Sequence, residues 1–153
     1  MAGWLGDEAG RCRCSPEQVL RYRMKVSGPL LDRIDLQLFM PRVEAAQLGT
    51  AAQTAESSAA VRARVTAARQ RQLDRQGSSN AALSGKTMDR HVWPEAEAEA
   101  LLQTALSRHL LTARSYHRCL RVAQTLADME GAARINAGHA AEALRYRALD
   151  RAP

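Results

Sequence analysis

The spacing of apolar positions predicts a chain built mostly of helices. Over 113–130, Tyr116, Leu120, Ala123, Leu126 and Ala127 share one face, with Thr112 ahead as N-cap and Gly131 behind as C-cap. Pro94 opens an earlier helix with Glu95, Glu97 and Glu99 in its first turns, where the helix dipole favours acids. Leu101, Leu102, Ala105 and Leu106 form its apolar face, and Arg108 and His109 lie near its end. Asn136 caps a last helix over 137–149, with Ala140, Ala143 and Leu144 inward and Tyr146 a further candidate. Residues 94–149 therefore predict a compact helical bundle.

Upstream, Ser15, Pro16 and Gln18 predict a capped helix over 16–26 that stops before Ser27-Gly28-Pro29. A turn of helix over Leu30–Arg33 follows. Ile34, Leu36, Leu38 and Met40 then alternate with Asp35, Gln37 and Phe39, a strand pattern closed by Pro41. One strand cannot make a sheet, so it needs partners from elsewhere. Residues 42–57 read as a polar, alanine-rich connector. The segment 58–76 predicts a long helix with Val61, Val65, Ala68 and Leu73 near one face, broken by Gly77-Ser78-Ser79-Asn80. A short helix follows Lys86-Thr87 and runs to Trp93.

Composition sharpens this picture. Hydrophobic residues make up 46% of the 153, yet 29 are alanine and aromatics are only 4%, so the core is thin and suits closely packed helices. No stretch approaches the roughly 18 apolar residues of a membrane span, and the first residues lack the basic start and apolar run of a secretory signal. An odd cysteine count without an export signal points to the reducing cytoplasm. The net charge is +6, carried by 20 arginines and two lysines, Lys25 and Lys86. Arg62, Arg64, Arg69, Arg71 and Arg75 sit in one predicted helix against a single acid, Asp74. Arginine grips carboxylate or phosphate with a planar fork, although arginine and alanine are both frequent in sequences of high-GC genomes.

Candidate chemistry is sparse. Gly85-Lys86-Thr87 looks like the end of a phosphate-binding loop, but the full pattern needs a glycine where Asn80 stands, and no apolar strand leads in. Without a phosphate cradle or an acidic strand end for magnesium, the chain is not expected to hydrolyse ATP alone. Cys12 and Cys14 supply two thiols where a structural zinc needs four ligands, so they are half a site or two incidental thiols. Arg33 lies on a tight turn beside Asp32 and Asp35, which on local grounds reads as an ion pair. Arg114 lies in the first turn of a helix, an unfavourable place for a cation unless it meets an anion; a phosphate or an acid such as Glu95 would serve.

Gly3-Trp4-Leu5-Gly6-Asp7, Gly10-Arg11-Cys12-Arg13-Cys14, Arg21-Tyr22-Arg23 and Ser27-Gly28-Pro29-Leu30-Leu31-Asp32-Arg33-Ile34-Asp35 resemble the end of the ATPase core in the ComM (YifB) family. These are magnesium-chelatase-like AAA+ ATPases of bacteria. The likeness continues through Arg69–Leu73, Asn80–Gly85, Ala113–Arg118, Arg121–Ala123, Ala127-Asp128 and Glu142–Arg147, and is weakest over 43–60.

The resemblance implies a mainly α chain: the C-terminal helical lid bundle of an AAA+ ATPase, with an N-terminal remnant of the α/β core contributing one strand. Residues 1–41 would end that core, 42–93 form a connector and basic helix, and 94–153 form the lid. It implies that Arg33 is an arginine finger acting in trans and Arg114 the sensor 2 residue. ATP and magnesium belong to the intact protein, with none expected on this segment. The family's Cys-Pro-Cys ahead of the Gly-Trp-Leu-Gly-Asp region, replaced here by Met1-Ala2-Gly3, implies that Cys12 and Cys14 are half of a zinc site in the intact protein. The expected partners are the rest of the core, further copies in a hexameric ring and DNA undergoing branch migration, with no membrane. A rival reading is a freestanding basic module binding nucleic acid through Arg62, Arg64, Arg69 and Arg71.

Overall fold

The computed structural model describes residues 13–38, 40 and 56–147. Among them the chain is helical. The first two elements are α1 (Pro16–Arg23) and the single turn α2 (Gly28–Leu31). Ser15 and Gln18 form the expected capping box on α1, but the helix ends at Arg23, short of residue 26, and buries no side chain.

The packed bundle begins with α3 (Ser58–Gln76), followed by a 3-10 turn (Asn80–Ala82), α4 (Gly85–His91), α5 (Ala96–Ser107), α6 (Ala113–Glu130) and α7 (Ala137–Arg145). The caps explain these limits. The Ser57 hydroxyl accepts the Ala60 N–H at the start of α3, and Thr112 and Asn136 make capping boxes with Ser115 and His139. Gly77 and Gly131 end α3 and α6 in the left-handed region, at φ 71° and 77°. The last helix stops at Arg145, not at 149; residues 148–153 lie outside the described part.

Helix α6 is the central element. It packs on α7, α3 and the 3-10 turn, while α5 lies mainly against α7. Ala123, Ala127, Ala140 and Ala143 are all buried, so small side chains let the helices approach closely. Leu102, Leu120, Ile135 and Leu144 fill the spaces between. Leu83, Met88 and Val92 belong to this same core, so its packing continues upstream of residue 94.

Two expectations are corrected. The face expected to turn α3 inward is split: Ala68 is buried and Val61 half-buried, but Val65 and Leu73 are exposed. Gln72 is the other buried residue of α3, its side-chain oxygen accepting the Asn80 N–H at 3.0 Å. The alternating segment after Arg33 forms no strand ladder among the described residues. Gln37 makes one parallel bridge to Arg147, its N–H donating to the Tyr146 carbonyl at 2.7 Å. The facing is reversed as well: Gln37 is buried while Ile34, Leu36, Leu38 and Met40 are exposed. An alternating segment becomes a strand only beside a neighbour that takes up its backbone groups, and here a single contact does so. Phe39 lies outside the described residues. No described helix is long and apolar enough to cross a membrane.

Candidate functional site

Two exposed arginines, Arg33 and Arg114, are chain neighbours of residues that line one cleft. The Ser27 carbonyl accepts the N–H groups of Leu30 and Leu31, and the turn closes through Asp32 and Arg33 onto Gly28 and Leu30. This delivers Arg33 to the surface, exposed, with Nη1 donating to the Pro29 carbonyl at 2.9 Å. The local ion pair expected for Arg33 does not form. Asp35 instead accepts from Arg118 Nη1 and stands 4.0 Å from Arg121 Nη2, while Asp32 lies 3.6 Å from Arg147 Nη2.

The second position is the start of α6. Thr112 Oγ1 accepts the Ser115 N–H at 3.1 Å, and Ser115 Oγ accepts the Thr112 N–H at 2.7 Å. This box fixes the first turn and leaves Arg114 exposed, with no hydrogen bond or ion pair among the described residues. Glu95, the acid considered for it, is not its partner.

Between the two lies a cleft of about 340 Å³, lined by Gly28, Leu31, Asp32, His109, Leu110, Leu111, Thr112 and Ser115. Neither arginine forms its wall; each is the chain neighbour of residues that do. His109 holds φ 55°, a left-handed backbone uncommon for a residue with a Cβ, where the chain turns from α5 into the wall. The capped start of α6 lends the cleft a helix dipole that suits an anion, while the Asp32 carboxylate in the same wall opposes one.

The remaining candidates separate. Arg64 holds Glu56 with two bonds, at 2.7 and 3.1 Å. Arg71 reaches back to the bundle and donates to the Asp128 carbonyl at 2.7 Å, lying against Gly131. Arg62 and Arg69 are exposed and have no partner among the described residues. Gly85-Lys86-Thr87 is the first turn of α4: Thr87 Oγ1 donates to the Ser84 carbonyl at 2.6 Å and accepts the Ser84 N–H, so it serves the helix start. Cys14 is half-buried and Cys12 lies outside the described residues. No group of three or more metal-ligating side chains occurs among the described residues. Two thiols do not complete a tetrahedral zinc site, so no metal step is assigned to them.

Sequence reasoning missed two arrangements. Arg118 and Arg147 hold the Arg33 turn from α6 and from the residues after α7. A polar network also joins α3, the 3-10 turn and α6. In it, Arg75 pairs with buried Asp128, whose carboxylate also accepts from Asn80 at 2.8 Å and Gln124 at 3.2 Å. Asp128 standing beside an apolar stripe of α6 was the available signal.

Comparison with known proteins matches the magnesium chelatase subunit ChlI C-terminal family over residues 55–147 and the magnesium chelatase subunit ChlI family over residues 1–48. The chain is 40% identical over 139 residues to the competence protein ComM of Haemophilus influenzae, covering 91% of this chain and 27% of that protein. It is 42% identical over 139 residues to YifB of Salmonella typhimurium, covering 91% of this chain and 28% of that one. A Mycobacterium bovis protein is 39% identical over 140 residues, at 89% and 27% coverage. The chain thus spans little more than a quarter of the length of these relatives.

Proposed function

The chain belongs to the magnesium chelatase subunit ChlI family, with ComM and YifB among its relatives, and from that premise we propose that it supplies two arginines to ATP hydrolysis in a ring of identical subunits. Its bundle is the helical lid of an AAA+ protein. The observation that carries the proposal is the shared cleft: the turn bearing Arg33 and the helix start bearing Arg114 face each other across it, and both guanidinium groups are exposed.

In this reading Arg33 reaches the γ-phosphate bound by the neighbouring subunit. As the bond to the leaving diphosphate breaks, charge spreads over the transferred phosphoryl oxygens, and a guanidinium fixed beside them stabilises that charge more than it stabilises bound ATP. Arg114 meets the same phosphates from the helix start, where its placement against the helix dipole is offset by the anion. Magnesium, when bound with nucleotide, neutralises phosphate charge. No described cluster of carboxylates fits the ion, so its ligands are not assigned to this chain. Water exclusion falls to the cleft walls, Leu31, Leu110 and Leu111.

Hydrolysis would drive branch migration of DNA in the cytoplasm. Arg62 and Arg69 are the groups on α3 available to phosphates, which keeps the basic-module reading alive as a second role for the same helix. The test is ATP turnover by the intact ATPase, with and without branched DNA, for the Arg114→Ala variant. Loss of nucleotide affinity or turnover by tenfold or more supports the role. Unchanged kinetics remove Arg114 from the nucleotide site.

A further inference from the structure

The turn that presents Arg33 is closed by its own backbone bonds and is held from outside by the lid. Arg118 Nη1 donates to the Arg33 carbonyl itself, at 2.7 Å, and also to the Asp35 carboxylate. Arg147 Nη1 donates to the next carbonyl, Ile34, at 2.6 Å, and its Nη2 lies 3.6 Å from Asp32. The Gln37 N–H completes the seam on Tyr146. Two consecutive carbonyls and the Asp35 carboxylate thus accept hydrogen bonds from Arg118 on α6 and Arg147 just beyond α7, and Asp32 lies within ion-pair distance of Arg147. Charge-assisted bonds of this kind are the strong ones. Arg147 is 2% exposed and Arg118 has one-fifth of its side chain exposed, so water competes little for either.

We propose that Arg118 and Arg147 are positioning residues that couple the lid to the finger. This regulation of the proposed site rests on the reading of Arg33 given above. The two arginines neutralise Asp32 and Asp35, leaving the Arg33 guanidinium bonded to the Pro29 carbonyl and not to either neighbouring carboxylate. They also transmit any displacement of α6 or α7 to the Arg33 backbone. Arg114 lies on α6, one helical turn before Arg118, so a phosphate that pulls on Arg114 moves the element that holds Arg33. Nucleotide contact at the helix start and presentation of the finger are then one mechanical event.

The test uses the intact ATPase and four variants: Arg33→Ala, Arg118→Ala, Arg118→Lys and the double variant Arg33→Ala/Arg118→Ala. Arg118 is chosen because truncating the fully buried Arg147 risks unfolding the bundle. Arg118→Ala is expected to lower kcat by tenfold or more with KM for ATP within about twofold, because the finger acts mainly in the transition state. Arg118→Lys restores part of that loss. In the Arg33→Ala background the Arg118→Ala change has little further effect on kcat, since there is no finger left to position. Amide exchange at Gln37 reads the clamp independently of catalysis and should quicken in Arg118→Ala. If Arg33→Ala is inactive while Arg118→Ala turns over at the wild-type rate, the coupling is wrong and the finger stands. If Arg118→Ala lowers kcat equally with and without Arg33, its role is general stability and the proposal fails. If Arg33→Ala itself is fully active, the finger reading falls first and the coupling falls with it.

Discussion

Arg75 grips Asp128 with both terminal nitrogens, at 2.5 and 3.0 Å, joining α3 to α6 across 53 positions of sequence. The carboxylate is 1% exposed, and the same group accepts from Asn80 and Gln124. Four donors therefore converge on one buried anion. Asp128→Asn would place an amide N–H₂ among donors and leave Arg75 without its counter-charge. The expected loss of stability is about 3 kcal/mol, seen as a fall in the denaturant midpoint. A change below about 0.5 kcal/mol would mean that the network contributes nothing to holding α3 on the bundle.

The arginines of α3 divide by contact, and their variants should divide the same way. Arg62→Gln and Arg69→Gln should each lower the log–log salt slope of duplex binding by about 0.9, one phosphate apiece, with little effect on melting. Arg71→Gln should lower the melting temperature and leave the slope alone, because its guanidinium is bonded to the Asp128 carbonyl. Equal slopes for all three variants would exclude α3 from the nucleic-acid surface.

Two tyrosines carry a pH prediction. Burial, and then the nearby Glu99 carboxylate, raise the Tyr116 phenol above its ordinary value of 10.0. Tyr146 is raised chiefly by its 2.7 Å bond to Glu142. A phenol whose folded value is raised favours the folded state while neutral. That contribution is complete below pH 10 and is lost as pH rises through the folded value. Spectrophotometric titration should show two tyrosines ionising late, and Tyr116→Phe should remove one of the late phases. A single common transition at the ordinary value would contradict the described packing of α5 on α6.

Local signals made the helices legible. Thr112, Asn136, Gly77 and Gly131 cap or stop helices where their chemistry predicts, because capping depends on residues three or four positions apart. The strand reading failed for the complementary reason: alternation at Ile34, Leu36 and Leu38 reports a side-chain pattern, not the presence of a neighbour to bond. The burial of Asn80 and Asp128 was hidden for the same cause, since partners such as Thr125 and Arg75 lie tens of residues away and polarity alone reads as exposure. Arg33 and Arg114 came from family resemblance. The clamp on Arg33 by Arg118 and Arg147 could come only from the fold, because nothing local links those positions.

The role of Arg33 is the central claim, and one measurement tests it most directly: ATP hydrolysis by the intact ATPase carrying Arg33→Ala, alone and mixed with a variant lacking the phosphate-binding lysine of the upstream core. Alone, Arg33→Ala should bind ATP nearly as well as the unaltered protein yet hydrolyse it about 10³-fold more slowly. Mixing should restore activity at interfaces where an intact nucleotide pocket meets an intact finger. Wild-type turnover by Arg33→Ala, or a slow variant that no mixing rescues, would contradict an arginine acting on the neighbouring subunit's nucleotide.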